Sequence, residues 1–174
     1  PGEGGRPADS SLRAWRAGAA DAGSIEEELT RFAEAAARAL GGECGYVALS
    51  RRGRRAFWWP LEGEHSPGRW PFDHRQSDAA FSRLLADEGG AVFEDTLAIP
   101  RPTPGQRAAI AAGVRSTVRL PLTDERGQAM GFVLVGSVEP GRFSRESLGK
   151  LWEVTQAAMQ TLRPLLLLER MEFE

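Results

Sequence analysis

The feature that most constrains this chain is a pair of apolar runs, residues 114–122 and 130–137, enclosing the polar turn at residues 123–127. Two such runs that alternate or stay apolar throughout, joined by so short a turn, predict a hairpin at the centre of a sheet, supplying most of its core. A second hairpin is expected upstream. From Cys44 the hydrophobic period becomes two, with residues 46–49 and 56–59 flanking Arg51, Arg52, Gly53 and Arg54.

Helices are expected before, between and after these hairpins. Ser24 and Glu27 have capping-box spacing, Ile25, Leu29, Phe32, Ala36 and Leu40 then form one apolar stripe, and Gly41 supplies the stop. Residues 60–75 contain Pro60, Pro67, Pro71, Gly63 and Gly68 and read as a long loop. Ser77 caps a helix carrying Phe81, Leu84 and Leu85 that stops at Gly89 and Gly90; a short strand follows at 91–94. Thr103 and Gln106, with Pro104 at the first helical position and Gly113 beyond the end, mark a short Ala-rich helix. Ser144 opens a long last helix, with Glu146 near its start, Phe143 placed as a hydrophobic staple and Pro164 expected to kink it.

That last helix carries two apolar series. Leu148, Thr155 and Leu162 interleave with Trp152, Met159 and Leu166 at spacings of four and three, the pattern of a coiled-coil seam, which predicts a homodimer interface. Leu151, Val154, Ala158 and Leu165 form the stripe expected to face the sheet. Composition adds limits. The 174 residues suit one domain: a lead-in over 1–23, then a folded unit over 24–170, of which 144–170 is the signalling and dimerisation helix. With 41% hydrophobic and 26% charged residues the chain is of globular type, and a net charge of −2 offers no field to recruit nucleic acid or an anionic membrane. No apolar run approaches a membrane span, the longest leucine run being Leu165 to Leu168. A single cysteine, Cys44, forms no internal disulfide and suits a reducing, cytoplasmic setting. The start at Pro1 and the end inside a helical segment suggest a fragment of a larger signalling protein.

The run Gly113-Val114-Arg115-Ser116-Thr117-Val118-Arg119-Leu120-Pro121-Leu122, a polar turn, then Gly131-Phe132-Val133-Leu134 and Phe143-Ser144, resembles the central strand pair and last-helix start of GAF sensory domains. Glu94-Asp95 followed by Ile99-Pro100-Arg101 resembles that family's segment after the third strand. The likeness spans roughly residues 24–170. It implies an α+β sandwich in which an antiparallel sheet has the first and last helices on one face and a small-molecule pocket, with short helices and loops, on the other. Members of the family bind cyclic nucleotides, tetrapyrroles, haem, amino acids or other metabolites, or nothing, so the resemblance names no cofactor. Three departures narrow it. Cys44 precedes the first strand and does not stand beside a His between the middle strands, as in covalent bilin binders. The Asn-Lys-Phe pattern of cyclic-nucleotide binders is missing, and sulfoxide reductases on this fold use several cysteines.

Candidate ligand residues are Trp58, Trp70, Phe72, Phe81 and Phe93, an aromatic set around the long loop, with Trp59 beside them; they line a pocket or equally fill a core. Arg115 and Thr117 share one side of a strand and offer a cation and a hydroxyl; alternatively Arg115 pairs with Asp95 or Glu94. The spacing of His65 and His74 with Glu62, Glu64 and Asp73 fits no compact metal motif, and polar residues in a solvated loop explain them as well, so no metal site is expected. Arg51, Arg52, Arg54 and Arg55 form a basic hairpin tip. No nucleophile stands beside a convincing base, and no phosphate-binding glycine loop follows a strand, so no catalytic site is assigned. The expectation is a non-enzymatic sensor that binds an unidentified small molecule and signals to an output domain such as a histidine kinase, diguanylate cyclase or transcription regulator. A ligand-free dimerisation and relay module is the alternative.

Overall fold

The computed structural model describes residues 25–50, 53–58, 90–102 and 104–172. Helix α1 (Ile25–Leu40) starts with Glu26, Glu27 and Glu28 against its positive end and buries Leu29, Phe32, Ala33, Ala36 and Ala37. Gly41, at φ 67°, ends it, and the Gly42 N–H closes on the Ala37 carbonyl at 2.9 Å. Ser24, the expected cap, lies outside the described residues. Strands β1 (Cys44–Leu49) and β2 (Arg55–Trp58) pair antiparallel with Ala48 opposite Arg55, the expected first hairpin.

Strand β3 (Ala91–Phe93) leads through a single 3-10 turn (Thr96–Ala98), capped by the Asp95 carboxylate, towards the short helix α2 (Pro104–Ala111). Strands β4 (Ser116–Thr123) and β5 (Ala129–Ser137) form the central hairpin. In its turn the Asp124 carboxylate accepts from the N–H groups of Arg126 (2.8 Å) and Gln128 (2.9 Å), and Gly127 takes φ 75°. Helix α3 (Arg145–Glu172) then runs 28 residues; at its start the Ser147 hydroxyl accepts from the Ser144 N–H, and the Ser147 N–H donates to the Ser144 carbonyl. It continues through Pro164 as one helix, although Pro164 cannot donate to the Gln160 carbonyl.

The sheet order is β2-β1-β5-β4-β3, every neighbouring pair antiparallel, and α1 and α3 pack together on one face. The fold class read from the sequence, an α+β sandwich with the first and last helices on one side, is the one observed. Between helices and sheet lies the main core, built from Leu29, Phe32, Val47, Leu49, Val118, Leu122, Val133, Val135, Phe143, Leu151, Met159 and Leu162. Gly45 lets α1 settle directly on β1: a Cβ there would stand 2.1 Å from the Ala33 carbonyl oxygen. Arg54, mostly buried, adds a clamp from the first hairpin to both helices through Glu26 (3.0 Å) and Glu169.

The expected dimer seam is corrected by this packing. Thr155, Met159 and Leu162 are 3% exposed or less, and Leu148 and Leu166 pack against the same core, so five of the six seam residues are consumed within the chain. Leu151, from the other stripe, is fully buried as well. The two stripes adjoin on a 3.6-residue helix, and α3 sits in the angle between α1 and the sheet, where one wide apolar face is covered from two sides. Of the seam residues only Trp152 turns outward, 55% exposed; Leu167, Leu168 and Met171, near the other end of α3, are exposed too.

Candidate functional site

Side chains alternate across a strand, so the residues between those facing the helices form the opposite face of the sheet. Strand register places them in rows. Phe57, Tyr46, Leu134, Arg119 and Ala91 align across all five strands; Cys44, Gly136, Thr117 and Phe93 form a second row; Arg55, Ala48, Phe132 and Pro121 form a third. The result is an aromatic and aliphatic surface with guanidinium groups at two places. Tyr46 and Phe132 are the centre of it, their rings 5.6 Å apart and tilted by 47°.

Electrostatics on this face follow from its burial. Tyr46, Phe132, Thr117 and Arg119 are all nearly inaccessible, and Arg119 is a charged group in the middle of a sheet. Burial pushes the Tyr46 phenol above its ordinary pKa, while the Arg55 guanidinium, hydrogen-bonded to it, pulls the other way. Tyr46 therefore stays a neutral hydrogen-bonding group throughout the physiological range. Burial also raises the Cys44 thiol from 9.0 to about 12, against a hydrogen bond from the Gly136 backbone and with repulsion from Glu43 adding to it. Cys44 packs with Ala109 of α2, Val114 and Phe57, and is a small apolar filler at the edge of this face.

This fixes a prediction. A group with a raised folded-state pKa contributes stability that is complete below its unfolded pKa and is lost as pH rises through the folded one. Cys44 should thus make stability fall from pH about 9 towards about 12, with a slope of up to about 1.4 kcal/mol per pH unit, and Tyr46 adds to it higher in that range. Urea unfolding across that window should show the slope reduced in Cys44→Ala; an unchanged slope would mean that the thiol titrates as freely folded as unfolded. At neutral pH the native thiol should resist an aromatic disulfide reagent that labels it fully in denaturant.

The residues singled out in the sequence fall in different places. Phe93 and Thr117 do lie on this face, next to each other in the second row. Arg115, just before β4, reaches the Asp95 carboxylate at 3.5 Å, the ion-pair alternative, and both side chains are more than a third exposed, so the pair contributes little to stability. Trp58 is on the other face: it packs with the helix-side core, and Arg38 of α1 lies 5.4 Å from its ring centroid. Its strand neighbour Phe57 takes the position expected of it. Trp70, Phe72, Phe81 and Trp59, with His65 and His74, lie outside the described residues. Sequence reading missed Tyr46, Phe132, Leu134 and Arg119, whose signal is their place on the strands on either side of β5 and on β5 itself. Among the described residues no three carboxylate, His or Cys side chains gather as metal ligands.

With this geometry in hand the likeness to known structures is informative. No protein-family model matches the sequence, and no curated protein does. Solved structures do match. The GAF domain of PixJ from Thermosynechococcus elongatus, in its blue-light absorbing form, superposes with a TM-score of 0.60 at 15% identity, covering 93% of this chain and 92% of its own. A domain of a two-component sensor histidine kinase from Sinorhizobium meliloti gives 0.55 at 15% identity, over 81% and 92%. The free methionine-R-sulfoxide reductase of Neisseria meningitidis, solved with its substrate, gives 0.54 at 20% identity, over 88% and 89%. The fold is therefore that of GAF domains. At these identities the likeness establishes the architecture alone, one that serves photoreceptor, kinase-linked and catalytic proteins alike.

Proposed function

We propose that this chain is a GAF-type sensory module that takes a small molecule on the sheet face opposite its helices and passes the occupancy to an output domain through α3. One observation carries the reading: β5 has a side chain in both places. Phe132 and Leu134 look onto the candidate ligand face, while Val133 and Val135, one residue along each, sit in the core beneath the helices. A ligand that shifts β5 alters the packing under α1, which rests on β5 and packs along α3, and only its differential affinity for the two arrangements drives the change. Tyr46, Phe57, Phe93, Phe132 and Leu134 supply flat apolar contacts; Arg119, Arg55 and Thr117 supply polar orientation.

A non-enzymatic role is supported by the Cys44 thiol, which is buried and has its pKa raised, unlike an activated nucleophile. No helix among the described residues is long and apolar enough to cross a membrane. The single cysteine is the reason for proposing a cytoplasmic setting. The relay alternative shares with the sensor reading a homodimer, and the outward side chains Leu167, Leu168 and Met171 near the end of α3 are the surface proposed for it.

Native mass spectrometry of freshly purified protein tests the reading. A retained mass that disappears on denaturation, and that is lost in Phe132→Ala while the fold persists, is the expected result. A bare chain in the wild type, joined by no change in the amide spectrum of β1 and β5 on adding metabolite extract, would leave the relay reading in its place.

A further inference from the structure

A second groove lies on the other side of the molecule, at the far end of α3. The β4–β5 turn stands beside that helix, and Asp124, Arg126, Met130, Arg163, Leu166 and Leu167 are among the residues that line an open groove of about 320 Å³. That is the lower end of the range of small-molecule sites, roughly 300–1,000 Å³. None of it belongs to the face described above.

Its local structure is built by a β-bulge. Leu122 pairs with Gly131 and Thr123 with Ala129, so Met130 is an extra residue without a partner on β4. Bulges re-aim side chains and bend the strand that carries them. Here Met130 packs towards the helix-side core, and its carbonyl is held by the Ser50 N–H and hydroxyl at 2.8 and 3.0 Å. The turn is thereby set beside α3.

The groove holds three guanidinium groups and two carboxylates. Arg126 and Arg163 form no ion pair among the described residues, and the Nε of Arg163 is sealed from solvent with no hydrogen-bond partner. Such an atom costs stability unless something accepts from the group that carries it. Arg170, engaged in an interaction of its own, adds a third guanidinium. Of the carboxylates, Asp124 has its Oδ1 held in its own turn by two backbone N–H groups, and Glu125 is exposed on the turn. Met130, Leu166 and the exposed Leu167 provide an apolar floor.

We propose that this groove binds a small anionic amphiphile, a phosphate or carboxylate head on a short apolar body, with the head at Arg163 and Arg126 and the body along Met130, Leu166 and Leu167. A planar guanidinium pairs such heads with two parallel hydrogen bonds. Bound there, the ligand joins the central hairpin to the end of α3 and holds that end against the sheet. The site is independent of any ligand on the opposite face.

The test is an amide NMR titration of the whole chain with octyl phosphate below its micelle concentration, beside inorganic phosphate and octyltrimethylammonium. Octyl phosphate should shift residues 124–130 and 163–170, inorganic phosphate should shift the same amides more weakly, and the cation should not. Arg163→Gln should weaken binding by about tenfold or more, as for loss of a charge-assisted hydrogen bond. Arg126→Gln, at an exposed turn position that leaves the fold intact, should weaken it further. Four results would overturn the proposal: shifts confined to Tyr46, Phe132 and their rows, equal response to the cation, equal affinity for inorganic phosphate, or indifference to both substitutions.

Discussion

Replacing Gly45 with valine is expected to leave no cooperatively folded protein. Even one carbon at this position stands 2.1 Å from the Ala33 oxygen and 2.8 Å from its carbonyl carbon, well inside contact distance, and both are backbone atoms of a helix that cannot rotate away. The small side chains of Ala33, Ala36 and Ala37 bring α1 this close to the sheet, and all three are fully buried. Gly45→Ala should therefore force α1 outward across its whole contact with β1, costing about 3 kcal/mol or more, and a midpoint drop of about 6–12 °C. Valine adds two further carbons to the same collision and exceeds what a marginal stability of roughly 5–15 kcal/mol tolerates. The control is Gly149, where an added Cβ on exposed α3 meets nothing within 4 Å. Gly149→Ala should raise stability by about 0.5–1 kcal/mol, because alanine loses less backbone entropy in a helix. Circular dichroism melts of the three variants decide the matter. A wild-type midpoint in Gly45→Ala would mean that α1 does not rest on β1 at this point.

The chain of elements was legible because local signals agree with the global packing. The stripe at Leu29, Phe32 and Ala36 is the buried face of α1, Gly41 ends that helix, Pro104 opens α2, and both hairpins form where the period changes to two. The face assignment was not legible, and the reason is specific. All six residues of β1 are buried, so alternation has no polar phase to say whether Tyr46 or Val47 looks at the helices. Phe57, Trp58 and Trp59 repeat the problem with three aromatics in a row; only the burial of Ala56 under α1 puts Trp58 on the helix face and Phe57 opposite. The ligand residues chosen from the loop followed composition, whereas the described face is built from strand positions that only register identifies. The groove beside the β4–β5 turn was equally hidden, since it joins segments about forty residues apart and depends on one extra residue in β5.

Leu162→Glu and Leu168→Glu, six residues apart on α3, should behave oppositely, and together they decide how the last helix is used. Leu162 is 1% exposed within the main core; a carboxylate there has no partner and must be buried or expel the helix. The cost should exceed about 4 kcal/mol, among the largest single-residue effects, and the protein should unfold or lose α3 from the sheet. Leu168 is about half exposed and turns away from the core, so glutamate there should change monomer stability by less than about 0.5 kcal/mol. If a second copy covers Leu167, Leu168 and Met171, the same substitution places unpaired charge in an apolar contact, and the dimer should dissociate by about tenfold or more in affinity. Analytical ultracentrifugation with a parallel thermal melt reads both quantities. A folded, dimeric Leu162→Glu would return the seam to the sequence pattern of Leu148, Thr155 and Leu162. Dissociation in Leu168→Glu without loss of melting temperature would assign it to the outward side chains.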